Sequence, residues 1–344
     1  MKVAVYYRNS DIRIEDRPMP KIADDEILVR MTASGICGTD VMEWYRMRKA
    51  PRVLGHEMAG DIFETGDSVQ GFKVGDRVFV SHHVPCYECD HCARKNYTAC
   101  ERLHKGNYDP GGFSEYIRIP AENVRNGTFI LPPGVSYEEG TMIEPLACVL
   151  AGQRQVGVRK GQAVLVLGSG ISGLLHIQLA KARGAKVIAT DVHKYRLEKA
   201  KEFGADYVFD AREYSPGMLR KLNNGMLANA VLVCTGAHQA TGTAFSSVER
   251  KGNILFFAVT EQDITIPSVS FWRNEISLHF SYGAAPDHLR EAFDLVQRGV
   301  IKVREMITHR VPLSSIERGF QLVAEAKNSL KVVVVPDAPS EKTT

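Results

Sequence analysis

The sequence predicts an α/β protein in two parts: a compact, barrel-like β-rich domain, and a parallel sheet covered by helices on both faces. Three observations carry that expectation. The first 150 residues are strand-like and punctuated by glycine. Near Gly152 the rhythm changes to strands alternating with helices. Beyond residue 284 two amphipathic helices and one last strand follow.

Taken in order, "MKVAVYYRNSDIRIEDRPMP" alternates and carries charge, which makes it strand and not a secretory signal peptide. "EILVRMTASGICGTD" begins as a strand and ends at a Gly-flanked cysteine, while "VLGHEMAGDIFETG" and "FKVGDRVFV" are short strands joined by glycine turns. "QAVLVLG" is a buried strand, "SGISGLLHIQLAKARG" a helix closed by Gly184, and "AKVIATD" a second strand. "HKYRLEKAKEFG" is a charged amphipathic helix, again stopped by glycine, and "ADYVFD", "NAVLVC" and "GNILFFAV" supply further strands. Strands alternating with helices of this length imply a parallel sheet. "PDHLREAFDLVQRG" and "PLSSIERGFQLVAEA" are helices with apolar stripes, and "LKVVVV" is a terminal strand that returns to the first domain. The closing "PDAPSEKTT" reads as a loose tail.

A chain of 344 residues is enough for about two domains. Its 44 % apolar and 24 % charged residues are ordinary for a globular protein. A net charge of +3, from 43 basic and 40 acidic residues, argues against nucleic acid or a membrane surface as partner. No apolar run is long enough to span a bilayer. The expected setting is cytoplasmic and reducing, where clustered cysteines bind metal or react more often than they pair.

"VLVLGSGISG" places Gly168, Gly170 and Gly173 in a G-x-G-x-x-G pattern between a strand and a helix, the context that gives the motif meaning. Gly168 permits the tight turn, Gly170 lets the backbone approach a pyrophosphate, and Gly173 lets helix and strand pack closely. Asp191 ends the second strand, where a carboxylate accepts hydrogen bonds from ribose hydroxyls and repels a 2′-phosphate. The expected cofactor is therefore NAD rather than NADP, with His193, Lys194 and Arg196 as cations able to touch a phosphate. Ile171, Ser172 and Thr235 complete the nucleotide contacts expected in this domain.

Cys86, Cys89, Cys92 and Cys100 are separated by two, two and seven residues. Four thiolates on tight turns make a closed tetrahedral shell for structural zinc. The common iron–sulfur run has three residues before its last cysteine and a proline after it, whereas Glu101 follows here. A closed shell has no place for substrate, so a working metal must be held elsewhere. The neighbouring His82, His83 and His91 read as solvent-exposed loop histidines.

Cys37 in "GICGTD", His56 and Glu57 in "GHEMAG", and Glu144 in "MIEPLACV" are each unremarked alone. Together they offer the mixed sulfur, nitrogen and oxygen donors of an open catalytic zinc. Such a site lowers the pKa of an alcohol hydroxyl, and hydride then leaves for nicotinamide.

At this point the chain resembles the zinc-dependent medium-chain dehydrogenase/reductase family, most nearly its polyol (sorbitol-type) and threonine dehydrogenase branches. "GICGTD", "GHEMAG", the four-cysteine loop, "EPLACV" and "LGSGISG" carry the resemblance, which covers nearly the whole chain. It implies a GroES-like catalytic domain from residues 1–150 and 285–344, a structural-zinc lobe at 85–101, and a Rossmann domain at 151–284. Cys37 and His56 would bind catalytic zinc, with Glu57 and Glu144 as ligands or alternates. Asp40 would orient the zinc histidine, and Thr39 would take the proton from the substrate hydroxyl. Met42 stands where the family often has a histidine, so the rest of that relay runs elsewhere. Cys148 reads as buried packing. Lys331 would approach the cofactor phosphates. The resemblance also implies two zinc ions per chain, and a homodimer or homotetramer.

"HFSYG" resembles the F-R-Y segment of sorbitol-type dehydrogenases; Tyr282 keeps the aromatic hydroxyl, but Ser281 replaces the arginine. Trp44, Tyr45 and Arg46 are further candidates for the substrate pocket. The expected activity is oxidation of a secondary alcohol (a polyol, cyclic polyol or amino alcohol) to a ketone. The readings set against it are a zinc-independent reductase of activated double bonds and a non-catalytic nucleotide-binding protein.

Overall fold

Two large sheets organise the backbone, one mainly antiparallel and one wholly parallel. The computed structural model describes residues 1–338 and separates into two units. The first takes Met1–Pro145, Ala284–Gln297 and the chain from Val303 onward; the second takes Leu146–Gly283 and Arg298–Lys302. The sequence puts the division at 150/151. In the structure it falls inside the helix Ile143–Gln155, whose near-continuous burial hides its start from a reading of periodicity. The last six residues of "PDAPSEKTT" lie outside the described residues, while Asp337 Oδ1 accepts the Ser314 N–H at 3.0 Å. Among the described residues no helix is long and apolar enough to cross a membrane.

In the first unit a seven-stranded sheet runs in the order Ile307–Pro312, Lys331–Val335, Ile27–Gly35, Glu57–Thr65, Arg77–Ser81, Thr128–Ile130, with Tyr116–Ile119 pairing to Ile27–Gly35 as well. All its pairings are antiparallel except that of Ile307–Pro312 with Lys331–Val335. A smaller sheet pairs Lys2–Arg8 with Asp11–Asp16 and Arg52–Val53. The inward residues, among them Val29, Met31, Met58, Val78, Phe113 and Phe320, form one apolar core. Register does the positioning. Gly35 lies opposite Glu57 on one side and Val333 on the other. The turn carrying Cys37 therefore leaves the sheet where His56 and Glu57 enter it, beside the strand that starts with Lys331.

The second unit has a six-stranded parallel sheet in the order Tyr207–Asp210, Lys186–Asp191, Ala163–Leu167, Ala228–Val233, Val248–Phe256, Ser277–Phe280. Every residue of Ala163–Leu167 is buried, as a central strand covered on both faces requires. Strand order reverses between Ala163–Leu167 and Ala228–Val233, and the carboxyl ends of strands at such a reversal are where doubly wound sheets bind ligands. Gly168 and Cys234–Thr235 follow directly from those two strands.

Candidate metal and nucleotide sites

Cys37, His56 and Glu57 each bring a potential ligand atom within 4.8 Å of the others'. A Cβ at Gly35 would fall on the Glu57 carboxylate, so this strand end accommodates that side chain only because residue 35 is glycine. Glu57 is 1 % exposed, and its Oε2 accepts from Lys331 Nζ at 2.6 Å. The Lys331 ammonium also reaches the Ile36 carbonyl at 3.4 Å. Burial would drive Lys331 towards neutrality, but the charges of Glu57 and Cys37 hold its pKa above the usual lysine value. The expectation that Lys331 meets cofactor phosphates thus gives way to a buried ammonium committed to Glu57, because a charge so enclosed needs a counter-charge.

Asp40 is fully buried behind the same group. It accepts the Cys37 N–H at 3.1 Å and Arg46 Nη2 at 3.2 Å, and lies 3.5 Å from His56 Nδ1. Against the effect of burial, His56 and Arg46 hold its carboxyl below the usual range. Burial likewise opposes a charge on His56, yet Asp40 and Cys37 raise it well above the ordinary histidine value. The surroundings of that imidazole favour a cation, and Asp40 at Nδ1 leaves Nε2 for it. Thr39 Oγ1 donates to Cys37 Sγ at 3.3 Å and accepts from Arg46 Nη2 at 2.9 Å. Since Arg46 fills one lone pair, the Thr39 proton is directed away from it, on the cysteine side.

Glu144 is 8 % exposed and falls outside the group of three. Its charge acts on Tyr108 and Lys331. The expectation for His82 and His83 needs correction. His91 is exposed, but His82 is 8 % exposed and His83 half-buried. The His82 ring lies 4.9 Å from that of His56 and 3.6 Å from that of His83. Burial pushes His82 well below the ordinary value and His83 down to about 3, so both are neutral imidazoles beside the donor group. The strand Arg77–Ser81 carries them inward beneath Tyr108, whose hydroxyl donates to the Val80 and His56 carbonyls.

The four cysteines of the loop gather as well. Sulfur separations are 3.9 Å for Cys86–Cys92, 3.6 Å for Cys89–Cys92 and 3.6 Å for Cys86–Cys100. Thiolates at the zinc–sulfur distance on a tetrahedron would be about 3.8 Å apart. None of the seven cysteines is in a disulfide. Although burial opposes it, N–H donors led by Cys86 pull Cys100 down to about 6, while burial and the Cys89 sulfur push Cys92 up to about 12. Four thiolates this close need a dication to coexist, and their donor chemistry fits zinc.

In the parallel-sheet unit, Gly168 has φ +91°, a conformation that favours glycine, and a Cβ at Gly173 would strike the Gly168 carbonyl. The helix Ile171–Ala182 starts at Gly170 without a side-chain cap, so the N–H groups around Ile171, Ser172 and Gly173 point free donors out of its first turn. Thr235 packs beside Gly168. Asp191 accepts the Ser169 N–H at 2.8 Å and the His193 N–H at 2.9 Å, fixing its carboxylate at the strand end. Arg196 Nη1 is 4.0 Å from Asp191 and sits over Gly170.

Among the expected pocket residues, Trp44 and Tyr45 meet edge to face at 5.9 Å in the short helix Glu43–Arg46. Arg48 lies over the Trp44 ring at 5.8 Å and Arg46 over Tyr45 at 5.2 Å. Tyr282 belongs to the parallel-sheet unit and is 48 % exposed.

Comparison with known proteins shows the family of the chain. Residues 23–128 match the model of the alcohol dehydrogenase GroES-like domain, and 172–298 that of the zinc-binding dehydrogenases. The probable D-xylulose reductase A of Aspergillus fumigatus is 33 % identical, over 92 % of this chain and 91 % of its own. The sorbitol dehydrogenase of Bacillus subtilis is 30 % identical, over 98 % of both. A solved Escherichia coli short chain alcohol dehydrogenase, in complex with the cofactor NADH, superposes with a TM-score of 0.87 at 26 % identity, over 97 % of this chain and 99 % of that one.

Proposed function

As the chain belongs to the zinc-dependent medium-chain dehydrogenase family, we propose that it reversibly oxidises a secondary alcohol to a ketone with NAD as hydride acceptor. The substrate class is a polyol, cyclic polyol or amino alcohol, and the names of the two sequence relatives favour polyols. The observation that carries the reading is the mixed donor group of Cys37, His56 and Glu57, backed by Asp40. Those three would hold the catalytic zinc, with Glu144 as an alternate ligand. When bound there, zinc supplies Lewis acidity to the alcohol oxygen.

The chain's own residues supply the rest. Asp40 keeps the His56 ring oriented. Thr39 passes on the hydroxyl proton, held for that by Arg46, which replaces nothing in the relay because a guanidinium does not give up its proton. Gly168, Gly170 and Gly173 admit the pyrophosphate, the donors near Ile171 and Ser172 bind it, and Thr235 and Arg196 flank it. Asp191 takes the ribose hydroxyls, which favours NAD over NADP. Trp44 and Tyr45 face the substrate. Cys86, Cys89, Cys92 and Cys100 would hold a structural zinc. The free cysteines suit a reducing, cytoplasmic compartment, and a homodimer or homotetramer is the assembly proposed.

The test is metal content together with NAD and NADP reduction over polyols, inositols, L-threonine and short alcohols. Two zinc ions per chain and NAD-dependent oxidation of one alcohol class are expected. A single zinc, or no turnover, overturns the proposal. Cys37→Ser is expected to abolish turnover and leave the fold intact; undiminished turnover would remove Cys37 from the site.

A further inference from the structure

We propose that Arg46 is a positioning residue for the alcohol oxidation: it fixes the Thr39 hydroxyl and the Asp40 carboxylate together, so that the hydroxyl keeps one acceptor site ready for the substrate. This rests on the reading that alcohol is oxidised at Cys37, His56 and Glu57.

The guanidinium is shared between the two residues that serve the metal-ligand group. Nε donates to the Thr39 carbonyl at 2.8 Å, and Nη2 to Thr39 Oγ1 at 2.9 Å and to Asp40 Oδ1 at 3.2 Å. Thr39 Oγ1 in turn bonds Cys37 Sγ at 3.3 Å, and Asp40 lies 3.5 Å from His56 Nδ1. One nitrogen therefore joins the hydroxyl on the cysteine side to the carboxylate on the histidine side. The Arg46 side chain is 17 % exposed, and its guanidinium lies over the Tyr45 ring.

The backbone of this segment is held from elsewhere. Asn9 stands between the strands Lys2–Arg8 and Asp11–Asp16. Its Nδ2 donates to the Val41 carbonyl at 2.8 Å, and its backbone N–H to Glu43 Oε2 at 3.0 Å. The Tyr6 hydroxyl donates to Asn9 Oδ1 at 3.0 Å, which keeps that amide turned towards Val41. None of these bonds touches the Thr39 or Asp40 side chain. Setting those two side chains relative to one another falls to Arg46.

A threonine hydroxyl has one proton and two lone pairs, and it turns about χ1 among staggered positions. Arg46 Nη2 fills one lone pair and the proton lies on the cysteine side, so one lone pair is left to accept from an alcohol. Without Arg46 the hydroxyl is free to turn, and Asp40, fully buried, keeps only the Cys37 N–H and His56. A lysine would not replace it. The guanidinium makes all three contacts from one rigid plane, whereas an ammonium is a point charge on a flexible stem. Arg46 acts on the reacting atoms only through Thr39 and Asp40, so its effect is on placement. Misplacing a reacting group by about 1 Å costs on the order of 100-fold in rate.

The experiment measures NAD reduction per bound zinc by the wild-type holoenzyme, Arg46→Met, Arg46→Lys, Asn9→Ala, Thr39→Val and the Arg46→Met/Thr39→Val double variant. The substrate is whichever of D-glucitol, myo-inositol, L-threonine and 2-propanol the wild type oxidises fastest. Both Arg46 variants are expected to lower kcat about 100-fold with KM changed less than about 3-fold, as for lost placement of a group that acts in the transition state. The double variant is expected to fall well short of the product of the single losses, since Arg46 acts through Thr39. Asn9→Ala loosens the same segment and is expected to stay within about 3-fold of wild type. An unchanged kcat in either Arg46 variant, losses that multiply in full, or an equal loss in Asn9→Ala each overturns the inference. A second arm needs no turnover: crystal structures of wild type and Arg46→Met. Thr39 Oγ1 is expected beside Cys37 Sγ in wild type, and turned away or split between rotamers in the variant; an unmoved Thr39 hydroxyl overturns the inference. Absence of turnover with every alcohol would sink the dehydrogenase reading, and the crystal structures would still decide whether Arg46 fixes Thr39.

Discussion

Lys331→Met probes how the metal-ligand group is held without its metal. The Lys331–Glu57 pair is 2.6 Å apart and 2 % and 1 % exposed. At that separation the attraction is about 6 kcal/mol for an effective dielectric of 20. Desolvation of two buried ions is of similar size, so the intact pair contributes little net stability. Removing one partner is different, because the other stays buried and uncompensated, at about 3–5 kcal/mol. Urea unfolding should therefore show Lys331→Met and Glu57→Leu each destabilised by roughly that amount. The double variant should lose well under their sum, since neither charge is then stranded. Zinc should also be retained more strongly against a chelator in Lys331→Met, because a competing cation has left the Glu57 carboxylate. Two single variants each costing less than about 1 kcal/mol and adding in the double would show a solvated, exposed pair and refute the reasoning.

Three further outcomes follow from the geometry. Gly35→Ala should force the Glu57 carboxylate aside, costing about 1–3 kcal/mol and lowering the metal bound by the Cys37, His56 and Glu57 group; unchanged metal content and stability would contradict the contact. Cys92→Ser should release one zinc and loosen the loop, seen as early proteolysis between Pro85 and Glu101, whereas retained zinc and normal resistance would count against a four-thiolate site. His176, buried with its Nδ1 3.2 Å from Gln153, has its pKa lowered by burial from 6.5 to about 3. The unfolded chain binds that proton first, so its contribution is full above pH 6.5 and is lost as pH falls towards 3. His176→Gln should flatten the acid limb of stability against pH by up to about 1.4 kcal/mol per unit, and an unchanged limb would show that His176 is not buried neutral.

What the sequence discloses is what lies close along the chain. The glycine turn, the helix it opens and Asp191 occupy one strand–helix–strand run, and the four cysteines sit in one loop. Each is a local pattern with a local physical cause. Cys37 and His56 are further apart but stand at strand ends, which glycines and turn residues mark. Lys331 is another matter. It meets Glu57 across 274 residues, through a sheet order that places the last strand beside Ile27–Gly35. Periodicity shows that "LKVVVV" is a strand, not which strand it joins. The His82–His83 pair was hidden for a related reason. A polar dipeptide after a strand ordinarily marks a solvated turn, and only Tyr108 and His56 packing above it keep it inside.

The two metal-ligand groups differ in how their charges are arranged, and this bears on what each can do. In the cysteine loop the donors repel one another when ionised, and the nearby Arg102 is already paired with Glu122, so a dication is what satisfies the group. In the mixed group each carboxylate already has its own cation: Glu57 has Lys331, and Asp40 has Arg46. Those pairs hold three donors together before any metal arrives. A dication added to such a group is matched mainly by the Cys37 sulfur, so the site stays short of negative charge. That shortage is what an ionising alcohol relieves.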